Sequence, residues 1–127
     1  MDLIENKKFE ELIKHLKTKK SIIAVILFGS YAKGNFNEKS DIDICIITDK
    51  FISNADFDYP LKDEGYDIHF LHSLPLEIKF KVFSEGKILF VNDEEKYNSI
   101  RKKTIREYRG FQSKKDKYTK MLLERYS

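Results

Sequence analysis

The run Ile22–Phe28 constrains the fold of this chain more than any other segment. All seven of its residues are apolar, and four of them are β-branched. A strand with one face in water alternates apolar and polar residues, whereas a strand buried on both faces does not. We therefore predict that this run forms the central strand of a sheet covered on both sides.

The pattern on either side of this strand predicts a mixed domain in the order α-β-β-β-α-β-α. Apolar residues at three- and four-residue spacing indicate an amphipathic helix over about 3–19. The other predicted elements are a helical turn over 30–33, strands over 41–47, 66–71 and 88–91, a helix over 75–85, and a helix from about 93 to the end, which Gly110 is expected to break or kink. The fold class is accordingly α/β or α+β on a small mixed sheet.

Length and composition predict a single soluble domain over residues 1–127, with a core at about 20–92 and a C-terminal basic helical segment at about 93–127. No apolar run reaches the roughly 18–20 residues that span a bilayer, so no membrane association is expected. No secretory signal is recognised in residues 1–20. The single cysteine, Cys45, lies between isoleucines and is expected to be a buried core residue in a reducing, cytoplasmic setting.

The net charge of +3 conceals an asymmetry along the chain. Residues 101–127 contain ten basic and three acidic residues, a balance of +7, which leaves fourteen basic and eighteen acidic residues, a balance of −4, for residues 1–100. The basic segment is either the solvated face of a long helix or a docking surface for an acidic protein or RNA.

Three aspartates carry the strongest chemical signal. Asp41 and Asp43 are two residues apart at the start of a predicted strand, so their side chains point to the same face. Adjacent carboxylates are costly to bury unless a cation neutralises them, and Mg²⁺ accepts such oxygen ligands. Asp67 lies near the start of the next predicted strand and faces the pair if the two strands are neighbours. The alternative is an Asp-containing turn or a strand end exposed to solvent.

Gly29 and Ser30 directly follow the first predicted strand. Glycine allows close approach of the backbone to a ligand, and amides at a following helix N-terminus bind phosphate. The pair taken alone predicts only a turn. It is not a P-loop, because no Gly-Lys-Ser/Thr sequence closes it.

Taken together, these residues reproduce a known signature. Gly29-Ser30, ten residues, and then Asp41-Ile42-Asp43 resemble the Gly-Ser-x10-Asp-x-Asp pattern of the DNA polymerase β-like nucleotidyltransferase superfamily. The runs FGSYAKG and SDID look like its minimal branch, the MNT proteins, and Asp67 matches the third acid of the pattern. The resemblance covers about residues 20–92, and residues 85–90 are similar to the usual close of that domain.

The resemblance implies a nucleotidyltransferase fold with helices on one face of the sheet, and it implies a role for each motif residue. Gly29 and Ser30 would bind the triphosphate of ATP, Asp41 and Asp43 would bind Mg²⁺, and Asp67 would complete a catalytic site for two metal ions. MNT proteins of this size are typically MntA-type antitoxins that transfer AMP to a tyrosine of a HEPN ribonuclease toxin. A HEPN-family toxin is thus the expected partner.

The sequence leaves several alternatives open. The chain could silence a partner by occlusion without catalysis, or it could transfer a nucleotide to a small molecule or an RNA end. His69 shares a predicted strand face with Asp67 and so could border the site, although a packed or solvent-rim histidine is the favoured interpretation. His15 and His72 are predicted to lie at the surface, and Lys33 is expected to be an exposed helix lysine rather than a phosphate ligand.

Overall fold

The computed structural model describes residues 7–29, 34, 42–49 and 66–126. Its elements are α1 (Lys7–Lys17), β1 (Ile22–Phe28), β2 (Ile42–Thr48), β3 (Tyr66–Phe70), a 3-10 turn (Leu71–Ser73), α2 (Leu76–Glu85), β4 (Lys87–Val91) and α3 (Glu94–Tyr126). This order confirms the predicted succession of helices and strands, whereas the turn predicted over 30–33 lies outside the described residues. None of the helices in the described part of the chain combines the length and apolarity needed to cross a membrane.

The four strands form one mixed sheet in the order β3-β2-β1-β4. The central strand β1 pairs antiparallel with β2 on one side and with β4 on the other. Strands β2 and β3 run parallel, which aligns their N-terminal ends at the edge of the sheet where β1 ends. That shared edge is where the predicted functional residues meet.

Burial confirms the predicted role of β1, since Ile22 to Leu27 are all buried. Side chains alternate between the two faces of a strand, and each face of this sheet has its own core. Helix α1 covers one face, where its Leu12 and Leu16 pack in a cluster with Ile44 of β2. Helices α2 and α3 cover the other face around Cys45.

The expectation that all helices lie on one face is therefore wrong for α1. The physical reason is the apolar character of both sides of β1 and β2, because each side must be shielded from water. The mixed sheet and the long C-terminal helix of the predicted fold are confirmed.

Helix α3 is anchored at its N-terminal half. Asp93 caps its first turn, with Oδ1 accepting a hydrogen bond of 3.0 Å from the Lys96 amide. Tyr97 is buried in the core of the sheet face that α2 and α3 cover. Eleven residues later, Tyr108 stacks on Phe80 of α2 with 4.1 Å between ring centroids. These contacts fix the helix on the sheet up to about Tyr108.

Beyond Gly110 the helix continues without interruption, contrary to the predicted break. We call residues 111–125 the free half of α3. Apolar spacing predicts inward positions in this half at Phe111, Tyr118, Met121 and Leu122. The exposed fractions are nevertheless 47% for Phe111, 59% for Tyr118 and 53% for Met121, and Leu122 is half-buried. A helix of 33 residues is about 50 Å long, whereas a strand of seven residues spans about 23 Å. The free half therefore extends past the sheet that buries the rest of the helix.

Candidate active site

Three neighbouring strands bring a row of side chains together at one edge of the sheet. Phe28 at the end of β1 is the cross-strand partner of Asp43 in β2, and Asp43 is the partner of Asp67 in β3. The register places the two carboxylates directly side by side on the face that α2 and α3 cover. Asp43 is 27% exposed and Asp67 is 54% exposed, so the pair is open to solvent and to a ligand.

His69 completes this group. Its Nε2 lies 3.0 Å from Oδ2 of Asp67 and 3.6 Å from Oδ1 of Asp43. Its ring meets the ring of Phe28 edge to face, with 5.6 Å between the centroids and an angle of 64° between the planes. One ligand atom from each of Asp43, Asp67 and His69 lies within 4.8 Å of the other two, a separation at which the three residues can hold one metal ion.

Gly29 shapes the rim of the site. Its φ of +76° lies in the left-handed region that residues with a side chain rarely adopt. A Cβ added at this position would overlap the carboxylate of Asp43. The turn after β1 therefore passes directly against the Asp43 carboxyl group. Position 29 requires glycine because of this contact within the protein, independently of any bound nucleotide.

The strand residues beneath the site are apolar and fixed. Cys45, the next residue of β2 on the same face as Asp43, is fully buried, as the sequence predicted. Burial raises the pKa of its thiol from 9.0 to about 12, because the thiolate would lose its hydration. Cys45 is therefore a packing residue rather than a nucleophile.

The structure brings together Gly29, Asp43 and Asp67, as the sequence predicted. Asp41, Ser30 and Lys33 lie outside the described residues, so their placement stays a prediction. His69 contacts both carboxylates, so it borders the site as its shared strand face with Asp67 allowed, although a packed or solvent-rim histidine was the favoured interpretation. His15 and His72, predicted at the surface, are half-buried.

Comparison with known families agrees with this arrangement. The model of the family described as polymerase beta nucleotidyltransferase matches residues 10–95, a segment that runs from α1 through β4 and includes Gly29, Asp43, Asp67 and His69. The chain belongs to this family. The sequence resemblance to nucleotidyltransferases is thereby confirmed over a segment that contains the whole sheet.

Two curated relatives come from Methanocaldococcus jannaschii, and both are provisionally named protein adenylyltransferases. One is 33% identical over an alignment of 79 residues that covers 58% of this nucleotidyltransferase chain and 60% of the relative. The other is 47% identical over 57 residues, which are 43% of this chain and 52% of the relative. The matched part thus spans between about half and three fifths of each relative.

Solved structures of toxin–antitoxin complexes share the fold. A chain from a toxin–antitoxin complex with AMP-PNP superposes with a TM-score of 0.68 at 22% identity, covering 90% of this chain and 97% of that one. A chain from a complex of tri-AMPylated HEPN toxin with MNT antitoxin of Shewanella oneidensis gives a TM-score of 0.62 at 21% identity, covering 90% and 94%. Both matches extend well beyond the sheet, since 90% coverage of this chain must include much of α3.

Proposed function

We propose that this protein transfers AMP from ATP to a tyrosine hydroxyl of a HEPN-family toxin and thereby acts as an antitoxin. The observation that carries this proposal is the pair of carboxylates Asp43 and Asp67, side by side on neighbouring strands beside the Gly29 turn. Membership of the nucleotidyltransferase family supports the transfer of a nucleotide from a nucleoside triphosphate. The names of the relatives and of the structural neighbours support a protein as the acceptor of the AMP group.

In the proposed reaction the phenol oxygen of the tyrosine attacks the α-phosphorus of ATP. The bond from that phosphorus to the oxygen bridging the α- and β-phosphates breaks, and pyrophosphate leaves with the electron pair. The phenol proton passes to a carboxylate oxygen of Asp67, which is the more exposed of the two described acids and so the easier one for an acceptor to reach.

The described residues fit the divalent ion that such chemistry employs. Two adjacent carboxylates and an imidazole form a donor set for a hard or borderline cation. We assign Asp43 and Asp67 to this role and retain Asp41 as a further ligand predicted from the sequence. When bound, divalent ions such as Mg²⁺ would offset the negative charge of the carboxylates and the triphosphate and stabilise the leaving pyrophosphate.

The free half of α3 supports a protein partner. Its exposed apolar side chains Phe111, Tyr118, Met121 and Leu123 have no cover within the described chain, and basic residues surround them. Aromatic and methionine side chains are enriched in protein interfaces, and the rim of such an interface is polar. We therefore propose that the toxin contacts this segment while its tyrosine enters the site at the edge of the sheet.

The test is AMP labelling of a co-purified HEPN-family protein. With ATP and Mg²⁺, mass spectrometry should find one or more AMP units on a tyrosine of the partner. Asp43→Asn should abolish the labelling, whereas Asp49→Asn, which neutralises an acid just beyond the opposite end of β2, should leave it intact. Full labelling by Asp43→Asn would exclude the proposed role of that carboxylate.

Occlusion is the second candidate, and the exposed free half of α3 favours it because a binding surface alone can block a partner. The two functions separate in a growth assay. If Asp43→Asn still suppresses toxicity at normal expression while labelling is lost, the chain acts by occlusion. Transfer to RNA would instead appear as AMP on an RNA end with no mass change in the protein.

A further inference from the structure

We propose that His69 Nε2 is a direct ligand of the catalytic divalent ion and that this nitrogen makes the site select Mn²⁺ over Mg²⁺. The inference rests on the proposed function, because it concerns the metal site of the same reaction. It goes beyond the three-aspartate pattern, which contains oxygen ligands alone.

The two distances from His69 Nε2 to the carboxylate oxygens are close to those between two ligands of a single ion. Two ligand atoms at about 2.1 Å from one cation are about 3.0 Å apart at a right angle and about 3.4 Å apart at a tetrahedral angle. His69 Nε2 lies 3.0 Å from the Asp67 oxygen and 3.6 Å from the Asp43 oxygen. The distance to Asp67 equals that between two ligands at a right angle, and the distance to Asp43 is slightly longer than that at a tetrahedral angle.

The surroundings of His69 hold its ring in this place. Phe28 packs edge to face against the imidazole, and the strand register pairs His69 with the fully buried Cys45. The backbone of His69, on the edge strand β3, is therefore paired directly with the buried interior strand β2. A ligand that is already oriented loses little conformational freedom when the ion binds.

The type of donor atom determines the metal preference. Mg²⁺ is bound almost entirely by oxygen, whereas imidazole suits transition ions. Mn²⁺ accepts carboxylate oxygens and also binds the nitrogen that Mg²⁺ disfavours. Replacing His69 by Gln exchanges this nitrogen for an amide oxygen, a ligand of the type that Mg²⁺ accepts.

The experiment is electron spin echo envelope modulation of Mn²⁺ bound to the full chain with α,β-methylene ATP, an analogue that the site cannot cleave. We expect directly coupled nitrogen in the wild-type protein. The coupling should change to the ¹⁵N pattern when the histidines carry ¹⁵N, and it should disappear in His69→Gln. The matched control is His72→Gln, a half-buried histidine outside the Asp43–Asp67 group, which should retain the coupling.

Competition between the two ions gives an independent reading. His69→Gln should lose about tenfold or more in Mn²⁺ affinity while its Mg²⁺ affinity changes far less. A circular dichroism spectrum and melting temperature like those of the wild type establish that the variant is folded. Equal losses for the two ions would contradict the preference.

The outcomes separate this inference from the proposed function. Bound Mn²⁺ without nitrogen coupling, or coupling that persists in His69→Gln, overturns the role of His69 even if the toxin is labelled with AMP. Nitrogen coupling that depends on His69 establishes the ligand even if no partner is labelled. Absence of Mn²⁺ binding overturns the inference, whereas AMP labelling with Mg²⁺ decides the proposed function.

Discussion

The carboxylate of Asp43 occupies the space that a Cβ atom at position 29 would fill. A side chain at position 29 and an acid at position 43 therefore exclude each other in this geometry. The glycine of the motif is therefore tied to the aspartate that follows it fourteen residues later. The Gly-Ser pair and the Asp-x-Asp pair are two separate motifs in the sequence, but in the fold Gly29 and Asp43 pack against each other.

Gly29→Ala should displace the Asp43 carboxylate and abolish both metal binding and AMP transfer. Gly34→Ala is the matched control, because Gly34 has nearly the same φ, +77°, but an added Cβ there meets nothing within 4 Å. Both variants should lose about 1–2 kcal/mol of stability from the left-handed backbone. Thermal unfolding and Mn²⁺ titration of the two proteins decide the matter, and normal metal binding by Gly29→Ala would contradict the expectation.

Asp43→Asn should lose activity without losing stability. Asp43 and Asp67 are direct cross-strand partners of like charge, so removing one charge relieves about 0.2–1 kcal/mol of repulsion. Urea unfolding in the absence of divalent ions should therefore give a free energy of unfolding equal to or above that of the wild type. Mn²⁺ should raise the melting temperature of the wild type only. A large loss of stability in the metal-free variant would show that the carboxylate is structural.

The stability of the protein should fall in alkali because of Cys45. The folded thiol has a pKa raised by burial to about 12, whereas the unfolded thiol ionises near 9.0. Stability is thus unaffected by this group below about pH 9 and decreases between about pH 9 and about pH 12, by at most about 1.4 kcal/mol per pH unit. Urea unfolding at about pH 8 and about pH 10.5 should show a smaller decrease for Cys45→Ala than for the wild type. Equal decreases would mean that the thiol ionises alike in both states.

Two further glycines should respond in opposite directions to alanine. At Gly86, between α2 and β4, an added Cβ would overlap the carbonyl of Val82, so Gly86→Ala should cost about 1–3 kcal/mol. At Gly110, inside α3, nothing lies within 4 Å, and alanine should stabilise the helix by about 0.5–1 kcal/mol. Chemical denaturation of both variants tests the pair, and a neutral Gly86→Ala would indicate that α2 can move away from the sheet.

The sequence was sufficient for features that depend on local pattern. The continuous apolar run Ile22–Phe28 predicts a strand with two buried faces, and β1 is central and buried. Asp67 was expected beside Asp43 only if their strands were neighbours, and the parallel pairing of β2 with β3 supplies that condition. The contact of His69 with both acids depends on the same register, which local pattern does not specify.

Features that depend on the size and faces of the sheet were not accessible in this way. Amphipathicity shows that α1 buries one side, but it does not say which face of the sheet receives it. The apolar spacing of α3 continues past Tyr108, so periodicity predicts inward positions such as Tyr118. Periodicity carries no information about where the sheet ends, and Tyr118 is exposed because the sheet has ended before it.

The anchored half of α3 also has a consequence for the energetics of association. An isolated helix of about fifteen residues is marginal in water because its first turn is costly to form. In this chain the first turn is already fixed by Asp93 and Tyr97, so the free half grows by adding one hydrogen bond per residue. A partner that binds residues 111–125 therefore does not have to supply the free energy of helix nucleation, because packing of the N-terminal half of α3 already supplies it. The affinity for such a partner should depend on how stably that half is packed.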